Sequence, residues 1–189
     1  LISLQKLKIK KLSIFCLLII FIGCTRMNKK APLIPMEDFF KNPEKSSFQI
    51  SPDGNYVAYM KPWEKRMNVH VLNIETNVDK RLTSSKKRSI YGFLWLNNKR
   101  IGYVKDDGGD ENIHFFAVNI DGSNDIDLTP FDNVKTNIID DLDEDHEHVI
   151  LGLNKRNEQI FDPYRVNVNT GAMTMIAKNP GNISVWMTD

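Results

Sequence analysis

The chain has 189 residues, 41% hydrophobic and 26% charged, the composition of an ordinary globular domain and not of a disordered or fibrous chain. The formal net charge is +1, but Lys6, Lys8, Lys10 and Lys11 are the only charged groups among the first 24 residues, so the remainder holds about 21 basic against 24 acidic side chains. A slightly acidic body argues against a nucleic-acid partner, which is held by a basic patch or stripe.

Leu1–Lys11 is lysine-rich, and Leu12–Gly23 is an apolar run of about a dozen residues, the two parts of a signal peptide in order. Such a run is too short to span a bilayer, which takes about 20 residues. It ends at Phe21-Ile22-Gly23-Cys24, which resembles a bacterial lipobox with Phe21 where leucine is usual. The expectation is a signal peptide over 1–23 and a lipidated Cys24 that anchors a polar tether, 24–33, to a membrane. An uncleaved anchor or a plain signal peptide is the alternative, and each implies export to the periplasm or cell surface. Cys16 would leave with the leader, so the folded part would rely on packing alone. The first residue is Leu, which suggests an alternative start codon or missing residues, and a start at Met27 would omit the leader.

After the tether, only Met36–Lys41 has the pattern of a helical turn. From there on, β-branched and aromatic segments alternate with Asp/Asn/Gly turns. These segments repeat. Tyr56-Val57-Ala58-Tyr59 aligns with Arg100-Ile101-Gly102-Tyr103 and Val149-Ile150-Leu151-Gly152, at steps of 44 and 49 residues. Leu72-Asn73-Ile74 aligns with Val118-Asn119-Ile120 and Val166-Asn167-Val168 at steps of 46 and 48, and Arg81-Leu82-Thr83 aligns with Asp127-Leu128-Thr129. A period of about 40 to 50 residues built from short strands is that of a β-propeller blade.

Each repeat fits a four-stranded antiparallel blade. Ser51-Pro52-Asp53-Gly54 supplies the first turn, Tyr56–Met60 a strand expected near the propeller axis, and Val69–Ile74 or Ile113–Ile120 a third strand before a short outer one. Strands packed on both faces read as nearly continuous apolar runs. The fold class is therefore all-β: a partial β-propeller of about three blades, preceded by the signal peptide. Val185-Trp186-Met187 resembles the Trp95 region, as if a fourth blade began there. Closed propellers have four to eight blades, so residues 34–189 read as the N-terminal blades of an incomplete ring.

Several ordered motifs carry a family resemblance: Ile34-Pro35-Met36-Glu37-Asp38-Phe39-Phe40-Lys41-Asn42-Pro43-Glu44, Ser51-Pro52-Asp53-Gly54, Tyr103-Val104-Lys105-Asp106 with Gly109-Asp110-Glu111-Asn112, Leu128-Thr129-Pro130-Phe131, and Leu153-Asn154-Lys155-Arg156 with Phe161-Asp162-Pro163-Tyr164. Together they resemble the N-terminal propeller of bacterial prolyl oligopeptidase-family serine peptidases, especially the acylaminoacyl-peptidase and dipeptidyl-aminopeptidase branch. That resemblance implies an exported peptidase in which a C-terminal α/β-hydrolase domain cleaves short peptides and the propeller restricts access. It implies no cofactor.

The chain itself carries no catalytic residue of that family. An α/β-hydrolase nucleophile needs Gly-x-Ser-x-Gly at a strand-to-helix turn, and none occurs between Leu1 and Asp189, so this segment is expected to be inactive alone. Lys105–Asn112 joins two core strands and would project from one rim, which makes Asp110, Glu111 and Asn112 a possible lining of the substrate route; a long hairpin turn is the simpler reading. His146 and His148 could share a metal, and Asp141, Asp143 and Asp145 have the spacing of a calcium loop. Both groups read first as solvated turns, because a third ligand, the required glycine and the bidentate glutamate are missing, so no metal site is assigned. Lys86-Lys87-Arg88 reads as exposed charge, and Trp95 as core. The competing functions are a non-catalytic TolB-like periplasmic propeller lipoprotein acting as a binding scaffold, and a decayed gene whose product does not fold.

Overall fold

The computed structural model describes residues 31–41 and 43–188, and the chain divides between Lys41 and Asn42 into two units. In the first, α1 (Met36–Phe40) is a single helical turn. The Lys41 amide donates to the Glu37 carbonyl at 3.0 Å, and the Lys41 ammonium pairs with Asp38 at 2.7 Å. The signal-peptide and Cys24 expectations lie outside the described residues.

The second unit is made of strands in three successive sheets. Sheet 1 holds β1 (Ser46–Ile50), β2 (Tyr56–Trp63), β3 (Arg66–Asn73) and β4 (Asp79–Arg81). Sheet 2 holds β5 (Gly92–Asn97), β6 (Arg100–Lys105), β7 (His114–Asn119) and β8 (Ile126–Asp127). Sheet 3 holds β9 (Thr136–Asp140), β10 (His148–Asn157), β11 (Ile160–Asn167) and β12 (Met173–Met175). Each sheet is ordered as its strands follow in sequence, with antiparallel pairs throughout. This is the blade topology, and the chain is a partial β-propeller. The aligned landmarks fall on equivalent places: the second strands β2, β6 and β10, and the ends of the third strands β3, β7 and β11.

Local chemistry explains the turns. The Asp53 carboxylate accepts from the Asn55 amide at 3.1 Å and from Ser51 Oγ at 2.6 Å, closing the β1–β2 turn. The turn after the third strand needs a left-handed residue in every sheet. Asn77 (φ 55°), Gly122 (φ 77°) and Gly171 (φ 72°) provide it.

Two apolar layers hold the sheets together. Between sheets 1 and 2, Ala58, Met60, Val69 and Val71 pack in one cluster with Ile101, Tyr103 and Val118. Between sheets 2 and 3, Phe115 and Ala117 pack in another with Val149, Leu151 and Val166. The strands β6 and β7 are thus covered on both faces, which is why they lack a polar alternation. Gly102 belongs to the second layer: a Cβ there would stand 2.4 Å from Phe115 Cζ.

Polar bonds cross the same layers. Gln49 Nε2 donates to the Phe93 carbonyl at 3.0 Å, and Trp95 Nε1 donates back to the Gln49 carbonyl at 3.3 Å. Arg100, 2% exposed, reaches from β6 to the Val168 carbonyl at 2.8 Å. The strand expected nearest the axis, Tyr56–Met60, is second in its sheet. The strands of sheets 1 and 2 that approach each other through hydrogen bonds are β1 and β5, by way of the Gln49 and Trp95 side chains.

Candidate functional site

The sequence-predicted rim segment is the loop between β6 and β7. Its base is fixed by Asp106, whose side chain is fully buried and accepts from Arg88 Nε at 3.2 Å. Arg88 also donates to the Tyr91 hydroxyl at 3.1 Å, and these two bonds, Tyr91 foremost and then Asp106, raise its pKa. The loop then turns through Gly108 and Gly109, both at positive φ. Asp110 organises its tip: the Asn112 amide donates to Oδ1 at 3.0 Å and the Asn112 side-chain nitrogen to Oδ2 at 3.2 Å. The backbone bond is the larger of the causes that hold the Asp110 carboxyl below its ordinary pKa, so it is an anion in neutral solution. Glu111, exposed and at φ 60°, follows, and the Ile113 carbonyl accepts from the Thr136 amide at 2.8 Å, tying the end of the loop to sheet 3.

Asp110 and Asn112 are therefore brought together, with the exposed carboxylates of Glu111 and Asp107 beside them, Asp107 within reach of Lys87. The Lys86-Lys87-Arg88 run, expected to be exposed charge, is drawn to the same end of the sheets. Lys86 pairs with Glu64 at 3.4 Å and Lys87 approaches Asp107 at 3.9 Å, while Arg88 holds the buried Asp106. All three are exposed, as expected, but Arg88 is in addition a structural partner of the loop. This rim can offer charge and hydrogen bonds to a ligand. It places no nucleophile beside a base.

The other candidates resolve into turns. His148 Nδ1 bonds Asp145 at 3.0 Å and Arg165 pairs with the same carboxylate, whereas the His146 carbonyl accepts from Asn97 at 3.1 Å. Backbone bonding from Glu147, followed by His148 and Arg165, lowers the Asp145 pKa to about 2. Among the described residues no group of three or more His, Cys, Asp or Glu side chains is placed to hold a metal ion. Trp63 lies under the Arg81 guanidinium at 3.7 Å, and Trp95 is engaged with Gln49. A groove of about 500 Å³, lined by Asp53, Asn55, Asn73, Glu75 and Lys99, opens at the opposite end of the sheets, where the β1–β2, β3–β4 and β5–β6 turns meet. The Ser51-Pro52-Asp53-Gly54 motif contributes Asp53 to it, but the motif reads as a turn and not as a site.

No family model matches the chain. In sequence it is 30% identical over 159 residues to dipeptidyl aminopeptidase BIII of Pseudoxanthomonas mexicana, a match covering 83% of this chain and 23% of that enzyme. The chain is a relative of the dipeptidyl aminopeptidases. It is also 26% identical over 156 residues to dipeptidyl peptidase family member 6 of Caenorhabditis elegans, across 78% of this chain and 21% of the relative. The chain thus spans less than a quarter of the length of the curated relatives it matches. Among solved structures, an oligogalacturonate lyase in complex with manganese superposes with a TM-score of 0.55 at 9% identity, over 74% of this chain and 44% of the lyase, a likeness of fold alone. The motif resemblance to the dipeptidyl-aminopeptidase branch is borne out, and the segment is a peptidase-related propeller portion.

Proposed function

We propose that this chain is the access-limiting propeller segment of an exported serine peptidase whose catalytic α/β-hydrolase domain is encoded downstream of Asp189. The carrying observation is the 30% identity over 159 residues to a dipeptidyl aminopeptidase, which runs through all three blades and not through a single turn motif. Peptides with a basic end are the substrates that the rim of Asp110 and Glu111 would attract, because exposed carboxylates favour positive charge. The leader and Cys24 support export and lipid anchoring to a bacterial membrane.

Reading the coding sequence past Asp189 tests the first part. An open frame that reaches Gly-x-Ser-x-Gly and then an Asp and a His in chain order is expected; an immediate stop would withdraw the peptidase reading. Metabolic labelling with a clickable palmitate analogue tests the second. Label should enter the wild-type chain and be lost in Cys24→Ala, and a wild-type chain without label would remove the lipid anchor.

A further inference from the structure

Charge is divided unevenly among the sheets. Residues 42–91, which hold sheet 1, carry nine Lys and Arg against five Asp and Glu, whereas residues 92–188, which hold sheets 2 and 3, carry eight against sixteen. The contrast reaches the outer strands. β4 ends on Arg81, opposite His70, and the same register in sheet 2 puts Asp127 opposite Phe116. The blade topology is common to both sheets, so it does not account for a surplus of one sign on sheet 1.

The surplus gathers at one corner of sheet 1, around Trp63. This residue closes β2 and lies opposite Arg66 across the ladder, with Lys65 in the turn between them. The Arg81 guanidinium lies 3.7 Å and the Lys86 ammonium 5.1 Å from the centre of the Trp63 ring. Among the described residues Lys65, Arg66 and Arg81 form no ion pair, and Lys86 meets Glu64 at 3.4 Å, both side chains being at least half exposed. Arg81 Nε has no acceptor, and Nη2 reaches the Ser84 hydroxyl at 3.4 Å, so the guanidinium charge is not neutralised. A neighbouring sheet does not bury such a corner. Sheet 1 covers the corresponding face of sheet 2, and Asn112 and Asp127, the counterparts of Arg66 and Arg81, still keep part of their surface in solvent.

We infer that the Trp63 corner of sheet 1 docks on the anionic headgroups of a lipid surface. Arginine and lysine side chains next to a membrane are drawn to anionic lipid within a Debye length, and an indole flanked by cations has the mixed apolar and charged build that suits the headgroup level. Sheet 1 is also the first sheet after the tether. Ser46 follows Cys24 by 22 residues, so an anchor at Cys24 keeps β1 within about 75 Å of the bilayer. Export and that tether favour a lipid surface over a nucleic acid as the anionic partner. The inference rests on the proposed lipid anchoring.

The complete gene product, expressed from Met27 and so without leader or lipid, would be mixed with vesicles of phosphatidylcholine alone or with about 30% phosphatidylglycerol, and the bound fraction read by flotation. At low salt the anionic vesicles should bind at least about tenfold more protein, and the excess should vanish as the Debye length shrinks to about 3 Å in 1 M salt. Lys65→Glu, Arg66→Glu and Lys86→Glu together should abolish the excess, whereas the same reversal at Lys99, Lys135 and Lys178, exposed outside sheet 1, should leave it. The triple Lys65→Gln, Arg66→Gln and Lys86→Gln, which adds no repulsion, should keep the parent's melting midpoint and still lose most of the excess. Equal binding to the two vesicles, or equal losses in the two Glu triples, would overturn the inference. A low-salt dimer in place of vesicle binding, dissociated by the first triple, would overturn it too and assign the corner to the acidic sheets of a second copy. The palmitate label reports the anchor separately: label without anionic preference sinks the docking alone, and anionic preference without label sinks the anchor alone.

Discussion

The Thr129 hydroxyl accepts the buried amide of Phe115 at 2.9 Å, and 46 residues earlier Thr83 accepts the amide of Val69 at the same distance. In each sheet the threonine follows the short fourth strand and continues its pairing with the third through a side chain. Val69 and Phe115 are fully buried, so their amides have no water to turn to. Thr83→Val and Thr129→Val keep the shape and remove the acceptor. Each should cost about 1–3 kcal/mol, read as a lower urea midpoint, while Thr76→Val in an exposed turn should stay within about 0.5 kcal/mol of the parent.

Gly102 and Gly152 sit at close approaches of different kinds. A Cβ at Gly102 meets the Phe115 ring, which is held between two sheets, but at Gly152 it meets the Asn137 side-chain oxygen at 2.0 Å, on an exposed residue that can swing away. Gly102→Ala should therefore destabilise by about 1–3 kcal/mol and Gly152→Ala by clearly less. Equal losses in parallel thermal melts would contradict the layer assignment.

The β2–β3 hairpin closes through two residues, Glu64 and Lys65, at φ 46° and 67°. Both occupy the left-handed region that a two-residue turn requires and that Asn-Gly fills without crowding. Substituting Glu64→Asn together with Lys65→Gly should raise stability by up to about 1 kcal/mol, since the Lys86 partner of Glu64 is solvent-exposed and contributes little.

Acid should weaken the fold in two steps. His70 has a folded pKa below the ordinary 6.5, so on acidification the unfolded chain takes up the proton first, and stability falls as pH drops from about 6.5 through the folded value. Asp162 is held below the ordinary 3.8, chiefly by the two bonds from Arg156 at 2.9 and 3.0 Å and also by the Asn179 amide. Its contribution is complete above the ordinary carboxyl range and is lost as pH falls through the lower folded value. Urea midpoints across pH 7 to 3 should show both limbs, with His70→Phe flattening the first and Arg156→Met the second.

The blades were legible in the sequence because each rests on local chemistry. β-branched and aromatic runs mark the strands, Ser51-Pro52-Asp53-Gly54 closes its turn with its own side chains, and Leu82-Thr83 and Leu128-Thr129 mark outer strands as short as Ile126–Asp127. What stayed hidden depends on groups far apart in the chain. Arg100 sits in a landmark motif yet is buried, and its acceptors are the carbonyls of Ala117 and Val168 and the side chain of Asn119. Arg88 looked like one member of a basic run, and its partner Asp106 is revealed only when the β4–β5 connection and the β6–β7 loop share a rim. The Asp110–Asn112 bond was within reach of sequence reasoning, as an aspartate two residues before an asparagine in a glycine-rich turn.

Membership of these three blades in a serine peptidase can be tested directly. The complete gene product, solubilised from its native membrane, would be treated with a fluorophosphonate and digested for mass spectrometry. Peptides of residues 31–189 and a phosphonylated serine within Gly-x-Ser-x-Gly on the same polypeptide are expected. A polypeptide that yields those blade peptides in full, runs on past Asp189 and carries no modified serine would contradict it.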